Sequence, residues 1–172
     1  GNHGEDVKEY YFYLDNVPTH SYMKYLYKYP HKKFQYEQLI KESTTRSRLE
    51  REFELKDTGI FDDDNYFDIL FELAKDDEDP EVLNFRITAY NRGDQPAPLH
   101  VLPQVFFRNT WGWNTIEEEN RPKPHLQKES AEASIKLNHW KFGERRVVFA
   151  PSAGISKDVE PKLLFTDNET NK

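Results

Sequence analysis

Residues 108–114 read Arg-Asn-Thr-Trp-Gly-Trp-Asn, directly after the apolar run Val105-Phe106-Phe107. Trp111 and Trp113 flank Gly112, while Arg108, Asn109 and Asn114 supply hydrogen-bonding side chains at the edges. An indole is costly to leave in water, so it belongs either in a core or on a surface that stacks on something flat. A sugar ring offers such a flat patch of C–H groups, and its hydroxyls are matched by Asn, Arg, Asp or His neighbours. The stretch therefore has the chemistry of a polar-rimmed aromatic site, with a core role for the tryptophans as the alternative.

Other chemistries find less support. His3, Glu5 and Asp6 crowd one short stretch, as zinc ligands do, but their spacing matches no metal motif and a polar turn is the more common explanation. Asp62-Asp63-Asp64-Asn65 resembles the opening of a calcium loop, yet the glycine at position six and the glutamate at position twelve are missing; a solvated turn is expected. With 31 acidic residues, pairs of carboxylates are unavoidable and identify no glycosidase-type acid and base by themselves. No nucleophile elbow, dinucleotide loop or phosphate loop occurs, and His20, His100, His125 and His139 read as structural histidines. The expectation is no metal, no cofactor and no catalytic residue in this chain.

Bulk properties narrow the field further. The 172 residues fit one domain with a real core, 32% charged and 15% aromatic, with a single Met. Phe, Tyr, Trp, Leu, Ile and Val must build that core, a palette suited to strands. A formal charge of −7, with clusters such as Asp76-Asp77-Glu78-Asp79, argues against nucleic acid as a partner. The absence of cysteine excludes disulfides, thiolate metal sites and a Cys nucleophile. No stretch has the length and apolarity of a membrane span or the pattern of a secretory signal, so no membrane partner and a cytoplasmic location are expected.

The elements that must position the aromatic site are mainly strands. In Tyr66 to Leu73, Phe67, Ile69, Phe71 and Leu73 alternate with Asp68 and Glu72, the period of a half-buried strand. Val82 to Tyr90 repeats the pattern, and the acidic Asp76 to Pro80 stretch between them predicts an antiparallel hairpin. Further strands are expected at Lys8 to Leu14, Glu54 to Asp57, about Leu99 to Phe107, near Ser134 to Leu137, Arg145 to Ala150 and Leu163 to Thr166, and Tyr22, Tyr25, Tyr27 and Tyr29 lie in a segment that ends at Pro30 and reads as extended. Alternation places Tyr25, Tyr27 and Tyr29 on one face and Lys24, Leu26 and Lys28 on the other. Tyr36, Leu39 and Ile40 are spaced for a short helix, with a mobile, solvated loop over Lys41 to Arg51; Glu117 to Glu132 reads as a long excursion between strands. The fold class that results is all-β, an antiparallel β-sandwich with a short helix-containing insertion.

Longer motifs carry a resemblance. Gly1 to Asp15 (GNHGEDVKEYYFYLD), Pro18 to Pro30 (PTHSYMKYLYKYP), Asp57-Thr58-Gly59, Phe107 to Trp111 and Leu163 to Asn171 resemble the glucosidase-like proteins of glycoside hydrolase family 63, the group of mannosyl-oligosaccharide glucosidases and mannosylglycerate hydrolase-like proteins. The resemblance implies an N-terminal β-sandwich of the supersandwich type joined to a C-terminal (α/α)6 barrel that holds the catalytic acid and base. It also implies inverting hydrolysis of α-linked oligosaccharides. Such a barrel needs roughly 200 residues, so residues 1–172 are expected to be a partial N-terminal sandwich domain, inactive alone, whose partner is the barrel of the same protein. Loops facing that barrel would be Gly1 to Glu9, with His3 and Asp6, and Asn109 to Trp113, with Asn109, Trp111 and Trp113 and with Arg108 beside it as a further candidate sugar contact, either walling an oligosaccharide pocket or gluing the domains together. A free carbohydrate-binding module and a scaffolding domain without sugar affinity are the alternatives.

Overall fold

A computed structural model describes residues 10–110, 125–128, 134–149 and 161–166. The chain forms two compact units, Gly1–His100 and Val101–Lys172. The first contains β1 (Tyr10–Asn16), β2 (Tyr22–Pro30), a helix α1 (Tyr36–Thr45), β3 (Tyr66–Lys75) and β4 (Leu83–Asn91). Its strands make one antiparallel sheet in the order β1-β2-β3-β4. The second contains β5 (His125–Lys128), β6 (Ser134–His139) and β7 (Gly143–Val148), an antiparallel sheet in that order. The fold is all-β, as expected of a sandwich-type protein, and neither sheet closes into a barrel among the described residues.

Register sorts the first sheet into two unlike faces. Tyr25 pairs with Phe71 and Tyr13, and Phe71 with Ile87, so β2's Tyr25, Tyr27 and Tyr29 share a face with β3's Phe67, Ile69, Phe71 and Leu73. Lys24 and Lys28 pair with Glu72 and Asp68 on the opposite face. The hairpin between β3 and β4 closes through the Asp76 carboxylate, which accepts the N–H groups of Glu78 (3.0 Å) and Asp79 (3.1 Å).

The insertion between β2 and β3 builds the first unit's small core. Leu39 of α1, Leu55 and Ile60 are each nearly inaccessible, and Tyr10, Phe34, Phe53 and Phe61 pack around them. Phe61 meets Tyr10 edge-on at 5.6 Å and Tyr66 at 5.8 Å, which seats the insertion on the Lys28–Asp68 face. Of the apolar spacing read in the helix, only Leu39 is buried; Tyr36 and Ile40 remain exposed.

Several expected elements differ. Glu54 to Asp57 is not a strand: residues Leu55–Thr58 form a 3-10 turn, because the Asp57 carboxylate accepts the Glu54 N–H at 2.8 Å and Gly59 terminates it at φ +71°. Residues 99–107 are irregular as well; Pro98 and Pro103 remove the N–H groups a ladder needs. Leu163 to Thr166 is also irregular. The stretch expected as one long excursion contains β5, whose single apolar residue, Leu126, gives no alternation to read. The Lys41 to Arg51 run is half helix, since α1 continues to Thr45. Beyond it Arg46 holds Glu42 through Nε (3.2 Å) and the Arg51 carbonyl through Nη1 (2.8 Å), so local bonds replace the expected loose loop. Strands β2, β3 and β4 lie where alternation placed them, and β1, β6 and β7 lie within a few residues of the other strands expected from the sequence.

Candidate functional site

The second unit's hairpin from β6 to β7 turns through residues Trp140-Lys141-Phe142 to Gly143, which adopts φ +67° with open space beside it. The turn is locked by the imidazole of His139, whose Nδ1 accepts the backbone N–H groups of Lys141 (3.0 Å) and Phe142 (3.4 Å). Accepting those bonds leaves Nε2 as the ring position for a proton. The same ring is surrounded by aromatics: Phe107 at 4.7 Å, Phe142 at 4.6 Å, and Trp140 nearly parallel at 5.4 Å.

The outcome is a preorganised cluster of flat rings, part of it facing solvent. Trp140 is 43% exposed and Phe142 51% exposed. Because Phe107 is one of its members, the cluster draws in the chain segment that continues to Arg108, which is exposed, and Asn109, which is half-buried. Rings of this kind bind the C–H face of another ring, and nearby amide and guanidinium groups bind hydroxyls. Of the residues proposed from the sequence, Arg108 and Asn109 thus lie on the segment packed at an exposed aromatic cluster, whereas His3, Asp6, Trp111 and Trp113 lie outside the described residues. Trp140 and His139 were not singled out as a binding pair; the local signal is His-Trp-Lys-Phe-Gly, three rings within four residues ahead of a turn glycine.

A second place for chemistry is the charged face of the first sheet. Asp68 accepts from Lys28 Nζ at 2.6 Å and from Arg92 Nε at 2.7 Å. Glu72 accepts from Tyr22 Oη at 2.9 Å and Arg86 Nε at 2.8 Å, with Lys24 at 3.6 Å. Burial pushes the Asp68 carboxyl up, but hydrogen bonds and charge from Lys28 and Arg92 outweigh it and hold the group below the ordinary carboxylate range. The hydrogen bonds from Arg86 and then Tyr22 do the same for Glu72. Four residues of strand separate the two by about 13 Å, wider than the carboxyl spacing of an inverting glycosidase, and neither is held protonated as a general acid must be. They are structural ions. Among the described residues no group of three or more His, Cys, Asp or Glu side chains is placed to hold a metal, and no helix is long and apolar enough to cross a membrane.

Over 194 aligned residues the chain is 47% identical to a Saccharomyces cerevisiae protein named Uncharacterized protein YMR196W; the match takes in 99% of this chain and 18% of that protein. The chain thus spans about a fifth of the relative's length. No family model matches the chain, and no solved structure matches it.

Proposed function

We propose that this chain is the non-catalytic, N-terminal β-sandwich region of a longer cytoplasmic protein of the glycoside hydrolase family 63 type, supporting a helical barrel that cleaves α-linked oligosaccharides. The observation that carries the reading is the exposed ring cluster of His139, Trp140 and Phe142, joined through Phe107 to the segment of Arg108 and Asn109. Rigid rings with amide and guanidinium groups nearby suit one wall of a sugar site. The four fifths of the relative that lie beyond the match are ample for a barrel of roughly 200 residues. The chain's acidity accords with a neutral sugar and opposes a phosphate backbone.

In this reading the chain orients substrate while the barrel supplies acid and base. The test is hydrolysis of gluco- and manno-oligosaccharides by the full-length protein and by residues 1–172 alone. Turnover by the full-length protein only, with Trp140→Ala raising KM about five-fold or more at unchanged kcat, is the expected result; loss of one stacked ring costs about 1 kcal/mol or more, and about 1.4 kcal/mol is ten-fold. Cleavage by the isolated chain, or no cleavage by either, overturns it. Sugar affinity of the isolated chain that Trp140→Ala abolishes, without turnover by the whole, assigns a carbohydrate-binding module instead.

A further inference from the structure

The uncharged face of the first sheet has no role in the reading above. A continuous chain of rings crosses all four strands: Tyr11 to Tyr13 at 5.9 Å, Tyr13 to Tyr25 at 6.5 Å, Tyr25 stacked on Phe71 at 5.2 Å, and Phe71 to Phe85 at 5.9 Å. In a chain that is 32% charged, the only charged side chain that register places on this face among the described residues is Lys75, at the end of β3. Its rings are open to solvent at both sheet edges, Tyr13 being 81% and Phe85 58% exposed. The opposite face is internally neutralised around Asp68 and Glu72 and is seated against the insertion through Phe61. Such asymmetry is what an antiparallel sheet shows when one side is meant for burial.

We infer that this face, centred on Tyr25 and Phe71, is a docking surface covered in the full-length protein by an uncharged apolar face of the polypeptide beyond the aligned stretch. Four strands about 4.8 Å apart and seven to ten residues long span roughly 20 by 30 Å, close to the ~800 Å² per partner of a stable interface once side-chain relief is included. The relative with which the chain aligns end to end carries more than four fifths of its length beyond the match. A covalently attached cover acts at an effective concentration near millimolar, which a second copy of the chain does not reach. The occupant's chemistry follows from the face: apolar at the centre, with hydrogen-bond acceptors at the rim for the hydroxyls of Tyr13 and Tyr29. The inference rests on the chain being part of a longer protein, and not on that protein being a glycosidase.

Hydroxyl-radical footprinting read by mass spectrometry, on residues 1–172 and on the full-length protein, tests it. Tyr13 and Phe85 are expected to be modified about ten-fold more slowly in the full-length protein, with Tyr36 on α1 modified equally in both. Ile87→Lys, which puts a charge in the middle of the face, is expected to weaken binding of residues 1–172 to the separately expressed remainder about ten-fold or more, while Asn84→Lys on the opposite face leaves it unchanged. Equal modification in both proteins overturns the inference, as does protection of Tyr13 and Phe85 already in the isolated chain. Protection in a full-length protein that cleaves no glycoside sinks the glycosidase reading and leaves the docking face standing; cleavage without protection does the reverse.

Discussion

Asp68 is 8% exposed and bridges Lys28 on β2 to Arg92 just beyond β4, so a single carboxylate ties the chain across three strands. Its two cations keep contact with water, which limits what removing the charge costs. Asp68→Asn is expected to lower stability by about 1–2 kcal/mol, the value of charge-assisted bonds at a partly solvated site. The sign of the pH effect follows from the depressed pKa values of Asp68 and Glu72. In the window between folded and unfolded values the unfolded chain binds more protons, so stability rises with pH there. The stabilisation is therefore complete above the unfolded carboxylate values near ~4 and disappears as pH falls through the folded ones. Urea midpoints measured from pH 6 down to pH 3 should drop for the parent chain and drop less for Asp68→Asn; parallel curves would show that the network has no such linkage.

At the scale of elements, the insertion between β2 and β3 depends on one short 3-10 turn and the two buried side chains beside it. Leu55 and Ile60, each 1% exposed, are the largest fully buried side chains among the described residues, and Leu55→Ala should cost about 2–5 kcal/mol by transfer and cavity together. Gly59, between them at φ +71°, would place a Cβ 2.9 Å from the Asp62 carboxylate. That carboxylate can swing away, so the backbone conformation sets the cost, and Gly59→Ala should lose about 1 kcal/mol or more in thermal or urea melts. A neutral Gly59→Ala would mean that the turn relaxes at no cost. These same elements show what pattern can and cannot reveal. The strand β3 was legible because Phe67, Ile69, Phe71 and Leu73 alternate with two acids for eight residues. Phe53 and Leu55 also alternate with acids, but Glu54 and Asp57 close a turn by bonding locally, and alternation over four residues does not distinguish the two. The edges of the candidate site were legible in Arg108 and Asn109, whereas its centre arises from a contact between Phe107 and His139, distant in sequence and visible only once β6 and β7 pair.

On the scale of the whole molecule, the proposed role of the chain is positional, and the stereochemistry of the product tests the machine it is proposed to serve. The carboxylates best defined in the chain, Asp68 and Glu72, are both held ionised by neighbouring cations, so they cannot form the pair in which one group donates a proton while the other activates water. Under the proposed function, cleavage would require an acid and a base from the barrel, separated by about 6.5–9.5 Å to admit the water that attacks from the opposite side of the ring. That geometry dictates inversion: an α-linked substrate releases the β-anomer first, before mutarotation mixes the two. Proton NMR within the first minutes of full-length turnover should show the β-anomeric signal alone growing at the outset. An initial α-anomer would mean a retaining, double-displacement site with carboxyls about 5 Å apart. It would remove the family 63 type of barrel from the proposal even if the ring cluster around Trp140 proved to bind sugar.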